Sequence, residues 1–268
     1  MHLNDGGCGV ATAPPDDARV REVVRERYGE LARQSASGSA GRGADCCSDD
    51  ALNLDVSLVY SPEQTTGLPE EALAASAGCG NPHAIASLQQ GETVVDFGSG
   101  GGIDCFIAAR AVGQQGRVVG IDMTAEMVEL ARSNARRLGL GNVEFYLSQM
   151  EGTPLEDETV DAIISNCVIN LAPDKDIVFR EAHRILRPGG RLMVSDLVKV
   201  DEIPQDEAED IANWVACLAG SEMRDVYLGR MEAAGFTEVQ VVSSAAWGEE
   251  GWLSNIHSMS ILAIKPEG

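Results

Sequence analysis

The chain has 268 residues, 44% of them apolar, with a formal net charge of −22 and a sequence pI near 4.4. That length buries a sizeable core in one or two domains, while 42 acids against 20 bases exclude a nucleic-acid binder, since most of the surface would repel phosphates. No apolar run reaches membrane-spanning length, and residues 1–15 carry Gly, Asp and Pro where a secretion signal needs a basic start and a continuous apolar segment, so a cytoplasmic protein without a membrane partner is expected.

In chain order, Pro14-Pro15-Asp16-Asp17 opens an amphipathic helix that the pattern carries to residue 34, with Pro at its start and acids in its first turn. Residues 35–43 are rich in Ser, Gly and Ala and predict a flexible tether that delivers Cys46 and Cys47. A turn-rich cap follows from Tyr60, then the segment Gly78-Cys79-Gly80-Asn81-Pro82. From Thr93 onward strands and helices alternate: a strand at 93–97, helix 103–112, strand 117–122, helix 124–138, strands 143–147 and 160–165, helix 174–186, and strand 191–198 after the breaker Arg187-Pro188-Gly189-Gly190. Apolar strands at 239–242 and 258–264 close the sheet as an edge hairpin. The alternation predicts a doubly wound, mostly parallel seven-stranded α/β sheet. Between its halves, residues 203–220 read as a substrate-covering helix with Trp214 and Cys217 on one face. The expected units are 1–59, an N-terminal helix and thiol-bearing segment; 60–200, a cofactor-binding core; and 201–268, covering helices and closing strands.

The cofactor class follows from the first strand. Asp96 lies inside it, and glycines at 98, 100, 101 and 102 let the backbone approach a ligand just before a helix N-terminus. A dinucleotide loop is built for pyrophosphate, whereas a carboxylate two residues before the first glycine can receive an amino group. The pattern resembles the S-adenosylmethionine-dependent methyltransferases, whose ligand carries an ammonium and no phosphate. The second strand ends in Asp122, where a ribose diol needs an acceptor. Met123 follows it, and Met150 and Glu151 stand after the third strand, at the adenine edge of this class. Gly98, Ser99, Gly100 and Asn166 complete the expected cofactor set.

Seven cysteines occur, Cys8, Cys46, Cys47, Cys79, Cys105, Cys167 and Cys217. An odd number without a secretion signal argues against a disulfide framework, and C-x-x-C pairs, the mark of a structural zinc site, are absent from the sequence. Singly, Cys167 or Cys217 reads equally well as a small core hydrophobe; Cys105, within a core helix, reads as packing. Cys79, Cys167 and Cys217 each stand beside a predicted active-site element, and thiols that converge from distant positions suit a soft guest.

Residues 60–220 resemble the arsenite S-adenosylmethionine methyltransferases. The resemblance is carried by Cys46-Cys47, Gly78-Cys79-Gly80-Asn81-Pro82, the loop 96–104, Gly120-Ile121-Asp122-Met123-Thr124, Ser165-Asn166-Cys167-Val168-Ile169-Asn170-Leu171, Pro173-Asp174-Lys175 and Trp214-Val215-Ala216-Cys217-Leu218-Ala219. It implies that Cys79, Cys167 and Cys217 bind trivalent arsenic, that Cys46 or Cys47 is a redox thiol, and that glutathione or thioredoxin acts as reductant. The substrate implied is arsenite or its thiol conjugate. Two other readings remain at this point: a C-methyltransferase acting on a quinone or sterol-like substrate, and a non-catalytic thiol protein that binds metalloids on a methyltransferase scaffold.

Overall fold

The computed structural model describes residues 17–38 and 56–268. Cys8, Cys46 and Cys47 lie outside the described residues. Helix α1 (Asp17–Ala36) is followed by four short helices, α2 (Val56–Val59), α3 (Pro62–Thr65), α4 (Glu70–Ala74) and α5 (His83–Ala86). The core then runs β1 (Thr93–Phe97), α6 (Ile103–Val112), β2 (Arg117–Asp122), α7 (Ala125–Leu138), β3 (Val143–Leu147), β4 (Val160–Asn166), α8 (Lys175–Ile185) and β5 (Leu186–Lys199). Helices α9 (Gln205–Glu209), α10 (Ile211–Val215) and α11 (Arg224–Ala233) precede the closing strands β6 (Thr237–Ala246) and β7 (Ile256–Ile264).

The strands form one sheet in the order β3-β2-β1-β4-β5-β7-β6. The first five are parallel, and β7 is antiparallel to both β5 and β6. The near-continuous apolar runs of β1, β4 and β5 match this placement, because their residues are buried on both faces beneath helices. The order reverses between β1 and β4. The loops leaving their C-terminal ends diverge there and open the crevice in which such sheets bind ligands.

Local chemistry sets the helix ends. The Asp174 carboxylate caps α8 by accepting from the N–H groups of Asp176 and Ile177 at 2.9 and 3.3 Å. Gly139, at φ 66°, ends α7 with its N–H on the carbonyls of Ala135 and Arg136. Helix α1 buries Val20, Val24 and Leu31, and Arg21 reaches Glu151 at 2.9 Å while Arg33 reaches Glu126 at 2.7 Å, so the helix lies across the cleft end of the core.

Three stretches differ from the sequence reading. Strand β5 begins at Leu186 and incorporates the Arg187–Gly190 breaker, because Gly189 and Gly190 exchange backbone hydrogen bonds with Lys265 just beyond β7. The covering helix expected over 203–220 is two short helices. The Asp210 side chain accepts from the Ala212 N–H at 2.8 Å and restarts the chain as α10, which stops at Val215, so Trp214 and Cys217 do not share a helical face. Helix α11 was not anticipated at all, since it buries little beyond Tyr227 and Met231 and shows weak apolar periodicity.

Candidate active site

The glycine turn after β1 forms the floor of the crevice. Gly98 adopts φ 71°, and a Cβ there would stand 2.4 Å from Val168, so only glycine lets this turn lie against the loop after β4. The N–H groups of Gly98 and Ser99 both reach the Ile121 carbonyl, at 2.8 and 3.0 Å. The Asp122 carboxylate accepts from the Gly100 N–H at 2.9 Å and the Thr124 N–H at 2.8 Å. Desolvation raises the Asp122 carboxyl above its ordinary value, against the pull of these N–H groups.

Around this turn lies a cleft that is partly open to solvent. Gly98, Ser99, Gly100, Asp122, Met123, Met150, Glu151, Asn166 and Cys167 all line it. Asp96 is not among the lining residues. It is buried behind the turn, where the Cys105 thiol donates to its carboxylate at 3.2 Å, and burial holds its carboxyl well above the ordinary range. The carboxylate that does line the cleft from this loop is Asp104, in the first turn of α6. Glu151 faces the cleft while paired with Arg21.

S-adenosylmethionine fits these walls. A turn stripped of side chains gives the close approach it needs, and the buried Ser99 Oγ finds no partner among the described residues. Asp104 and Asp122 supply carboxylates on the lining suited to an ammonium and a diol.

The thiols gather on the far side of the β4 loop. The sulfurs of Cys79 and Cys167 and a carboxylate oxygen of Asp196 lie within 4.8 Å of one another, and the Cys217 thiol donates to the Cys167 carbonyl at 2.8 Å. Cys79, Cys167 and Cys217 are 6%, 6% and 2% exposed and all are unoxidised. Val20, Val24, Leu171, Leu197 and Leu218 enclose them in an apolar shell. Burial pushes the Cys79 and Cys167 thiols up; the hydrogen bond with Cys167, together with burial, does the same for Cys217.

Two of the three thiol residues occupy backbone space that side chains avoid. Cys167 has φ 57° and Cys217 φ 63°, each at a cost of ~1–2 kcal/mol. At Cys217 the reason is visible. The Leu218 N–H reaches the Asn213 carbonyl at 2.8 Å and the Cys217 N–H reaches Trp214 at 2.9 Å, which is the Schellman ending of α10 with cysteine where glycine is usual. At Cys167 the left-handed turn swings the chain off β4, and its N–H is held by the Ser195 carbonyl at 2.7 Å.

Several residues of the site carried no distinct sequence pattern. Asp196 is fully buried, and its carboxylate accepts from Asn170 at 2.9 Å, the Leu197 N–H at 2.9 Å and the Tyr227 hydroxyl at 3.1 Å. Burial pushes its carboxyl up to about 7. An acid inside the otherwise apolar end of β5 was the available clue. Tyr60 and Asp104 are joined at 2.9 Å, a contact between segments that no spacing connects.

Residues 88–250 match the family model described as a methyltransferase domain. Over 252 residues the chain is 40% identical to an arsenite methyltransferase of Halobacterium salinarum, covering 89% of this chain and 62% of that protein. It is 36% identical over 230 residues to an arsenite methyltransferase of Aquipseudomonas alcaligenes, covering 83% and 64%. The chain therefore spans less than two thirds of the length of these curated relatives. Its structure is similar to the crystal structure of an arsenic(III) S-adenosylmethionine methyltransferase from Chlamydomonas reinhardtii, with a TM-score of 0.67 and 32% identity over 76% of this chain and 72% of that one.

Proposed function

The chain belongs to the arsenic S-adenosylmethionine methyltransferase family, and from that premise we propose that it methylates trivalent arsenic held by Cys79, Cys167 and Cys217. The observation that carries this reading is the left-handed backbone of Cys167 and Cys217. A fold that needed only small hydrophobes there would relieve the conformation with glycine; the thiols themselves account for the retained strain.

Ser99, Gly100 and Asp122 would hold S-adenosylmethionine against the glycine turn, and Met123, Met150 and Glu151, which also line the cleft, would take its adenine end. Asp96 supports the turn from behind. When bound, S-adenosylmethionine supplies an electrophilic sulfonium methyl group. Cys167 lines the cleft and also belongs to the thiol cluster, so an arsenic atom on its sulfur stands at the wall the two spaces share. Arsenite is a neutral triol at neutral pH, and three thiols replace its three hydroxyls as each thiol proton leaves with a hydroxyl as water. A thiol conjugate exchanges in the same way. The arsenic lone pair would then be the nucleophile, the arsenic–carbon bond forming as the methyl–sulfonium bond breaks and S-adenosylhomocysteine leaves, and no general base is required. Fixed alignment of the reacting groups supplies up to ~7–11 kcal/mol in well-oriented systems, and the apolar shell around the sulfurs limits competing water.

Arsenic that gains a methyl cation rises formally from +3 to +5, so the next round needs two electrons. A thiol reductant of the glutathione or thioredoxin kind supplies them, with Cys46 or Cys47 as the thiol that passes them on. Incubation with arsenite, glutathione and S-adenosylmethionine, followed by arsenic speciation, tests the reading. Methylated arsenic is expected. Unchanged arsenite alongside demonstrated S-adenosylmethionine binding contradicts it.

A further inference from the structure

The loops bearing Cys79 and Cys167 share the Ser195 carbonyl, which meets the Cys79 thiol at 3.7 Å and the Cys167 N–H at 2.7 Å, and one side chain joins them directly. The Asn166 carboxamide accepts from the Gly80 N–H at 3.2 Å through Oδ1 and donates to the Gly80 carbonyl at 2.7 Å through Nδ2. It thereby pairs with a backbone residue much as a neighbouring strand would. Gly80 adjoins Cys79 and Asn166 adjoins Cys167, so these two hydrogen bonds tie together the two loops that carry the sulfurs. The fit is close. A Cβ at Gly78 would stand 2.3 Å from Asn166 Nδ2, and the loop can lie on the carboxamide only because that position is glycine.

Asn166 is itself held from the other side. Its Nδ2 donates to the Tyr60 hydroxyl oxygen at 2.8 Å and lies 3.3 Å from the Asp104 carboxylate. The Tyr60 hydroxyl gives its own proton to Asp104 at 2.9 Å, which leaves the phenol oxygen free to accept and fixes which end of the Asn166 amide is the donor. Tyr60 is 2% exposed. His83 Nε2 stands 2.9 Å from the same carboxylate. Asn166, Asp104 and Gly78 also line the cleft, so one face of this network belongs to the methyl-donor space and the other to the thiols.

We propose that Asn166 is a positioning residue, locked by Tyr60, that sets the separation of the Cys79 and Cys167 sulfurs and so decides whether three thiols can close on one arsenic atom. The proposal rests on the reading of these thiols as arsenic ligands. Cys217 moves with Cys167, because its thiol is tied directly to the Cys167 carbonyl, so loosening Asn166 frees Cys79 from the pair and leaves the pair itself joined. Inorganic arsenite has three exchangeable hydroxyls and needs Cys79. A monomethylated trivalent arsenical has two and can be held by Cys167 and Cys217. Loosening Asn166 therefore penalises the first substrate and largely spares the second.

The test compares Asn166→Ala and the milder Tyr60→Phe with the unaltered protein, on arsenite and on methylarsenite, with S-adenosylmethionine affinity by calorimetry and the thermal midpoint measured alongside. For Asn166→Ala, the ratio of kcat/KM on arsenite to that on methylarsenite at saturating S-adenosylmethionine is expected to fall about tenfold, the scale of one lost buried hydrogen-bond pair, with any effect through the cleft that Asn166 lines common to both substrates. Tyr60→Phe shifts the same ratio in the same direction by less. Equal losses on both substrates, or no loss on either, overturn the proposal; if Asn166→Ala does not fold, the ratio for Tyr60→Phe decides alone. Absence of methylation of both substrates by the unaltered protein strikes the underlying reading instead.

Discussion

Cys217 shows how much backbone strain a single functional atom can carry. It sits at the left-handed position of a helix ending, and its thiol reaches back to the Cys167 carbonyl. Replacing it by glycine relieves the backbone, whereas replacing it by alanine keeps the strain and a buried methyl. The left-handed penalty of ~1–2 kcal/mol exceeds the ~0.8 kcal/mol of that methyl. Cys217→Gly should therefore be more stable than Cys217→Ala by up to about 1 kcal/mol in denaturant unfolding, although both lose the thiol. An alanine variant as stable as the glycine variant, or more so, would show that the residue is not held left-handed. That Cys79, Cys167 and Cys217 come together was legible in the sequence, from their positions beside predicted active-site elements and from the family resemblance. The left-handed backbone of Cys167 and Cys217 was not; at Cys217 it arises from the hydrogen bonds of Leu218 to Asn213 and of Cys217 to Trp214, which a helical pattern conceals.

At the scale of elements, β5 lies beside the central strand β4 and carries the buried acid nearest the thiols. Burial pushes the Asp196 carboxyl up to about 7, against the pull of the Leu197 N–H, the Lys175 charge, the Tyr227 hydroxyl and Asn170. Its folded value lies above the unfolded value of about 4, so the folded state binds more protons between these limits. Stability then falls as pH rises from about 4 to 7, with a slope approaching ~1.4 kcal/mol per pH unit for one proton, and the contribution is gone above that window. Asp196→Asn should flatten this part of the stability profile, measured by denaturant unfolding at a series of pH values. A profile of unchanged slope in the variant would place the titration elsewhere. The strands themselves were readable from β-branched runs bounded by glycine, and α7 and α8 from their apolar faces. Helices α9, α10 and α11 were misread or missed because their ends are set by the Asp210 cap and by contacts with β5, which local periodicity does not encode.

For the whole molecule, the strand order gathers what the sequence scatters. The reversal between β1 and β4 puts the glycine turn, Asp122 and the Cys167 loop around one cleft, and the Cys79 and Cys217 loops meet Cys167 behind it. The alternation of strands and helices made this architecture predictable, and with it most of the cleft lining. What pattern could not supply was the depth of each group: Asp96 and Asp104 both flank the glycine turn in sequence, yet only Asp104 lines the cleft. A net charge of −22 has no quarrel with the proposed substrate, since arsenite arrives uncharged.

The most direct test of three thiols holding one arsenic atom is arsenic K-edge X-ray absorption on the protein loaded with a single equivalent of arsenite. The spectrum should show three sulfur neighbours and no oxygen, changing to two sulfurs and one oxygen in Cys79→Ser. Oxygen neighbours in the unaltered protein, or three sulfurs persisting in Cys79→Ser, would contradict the account.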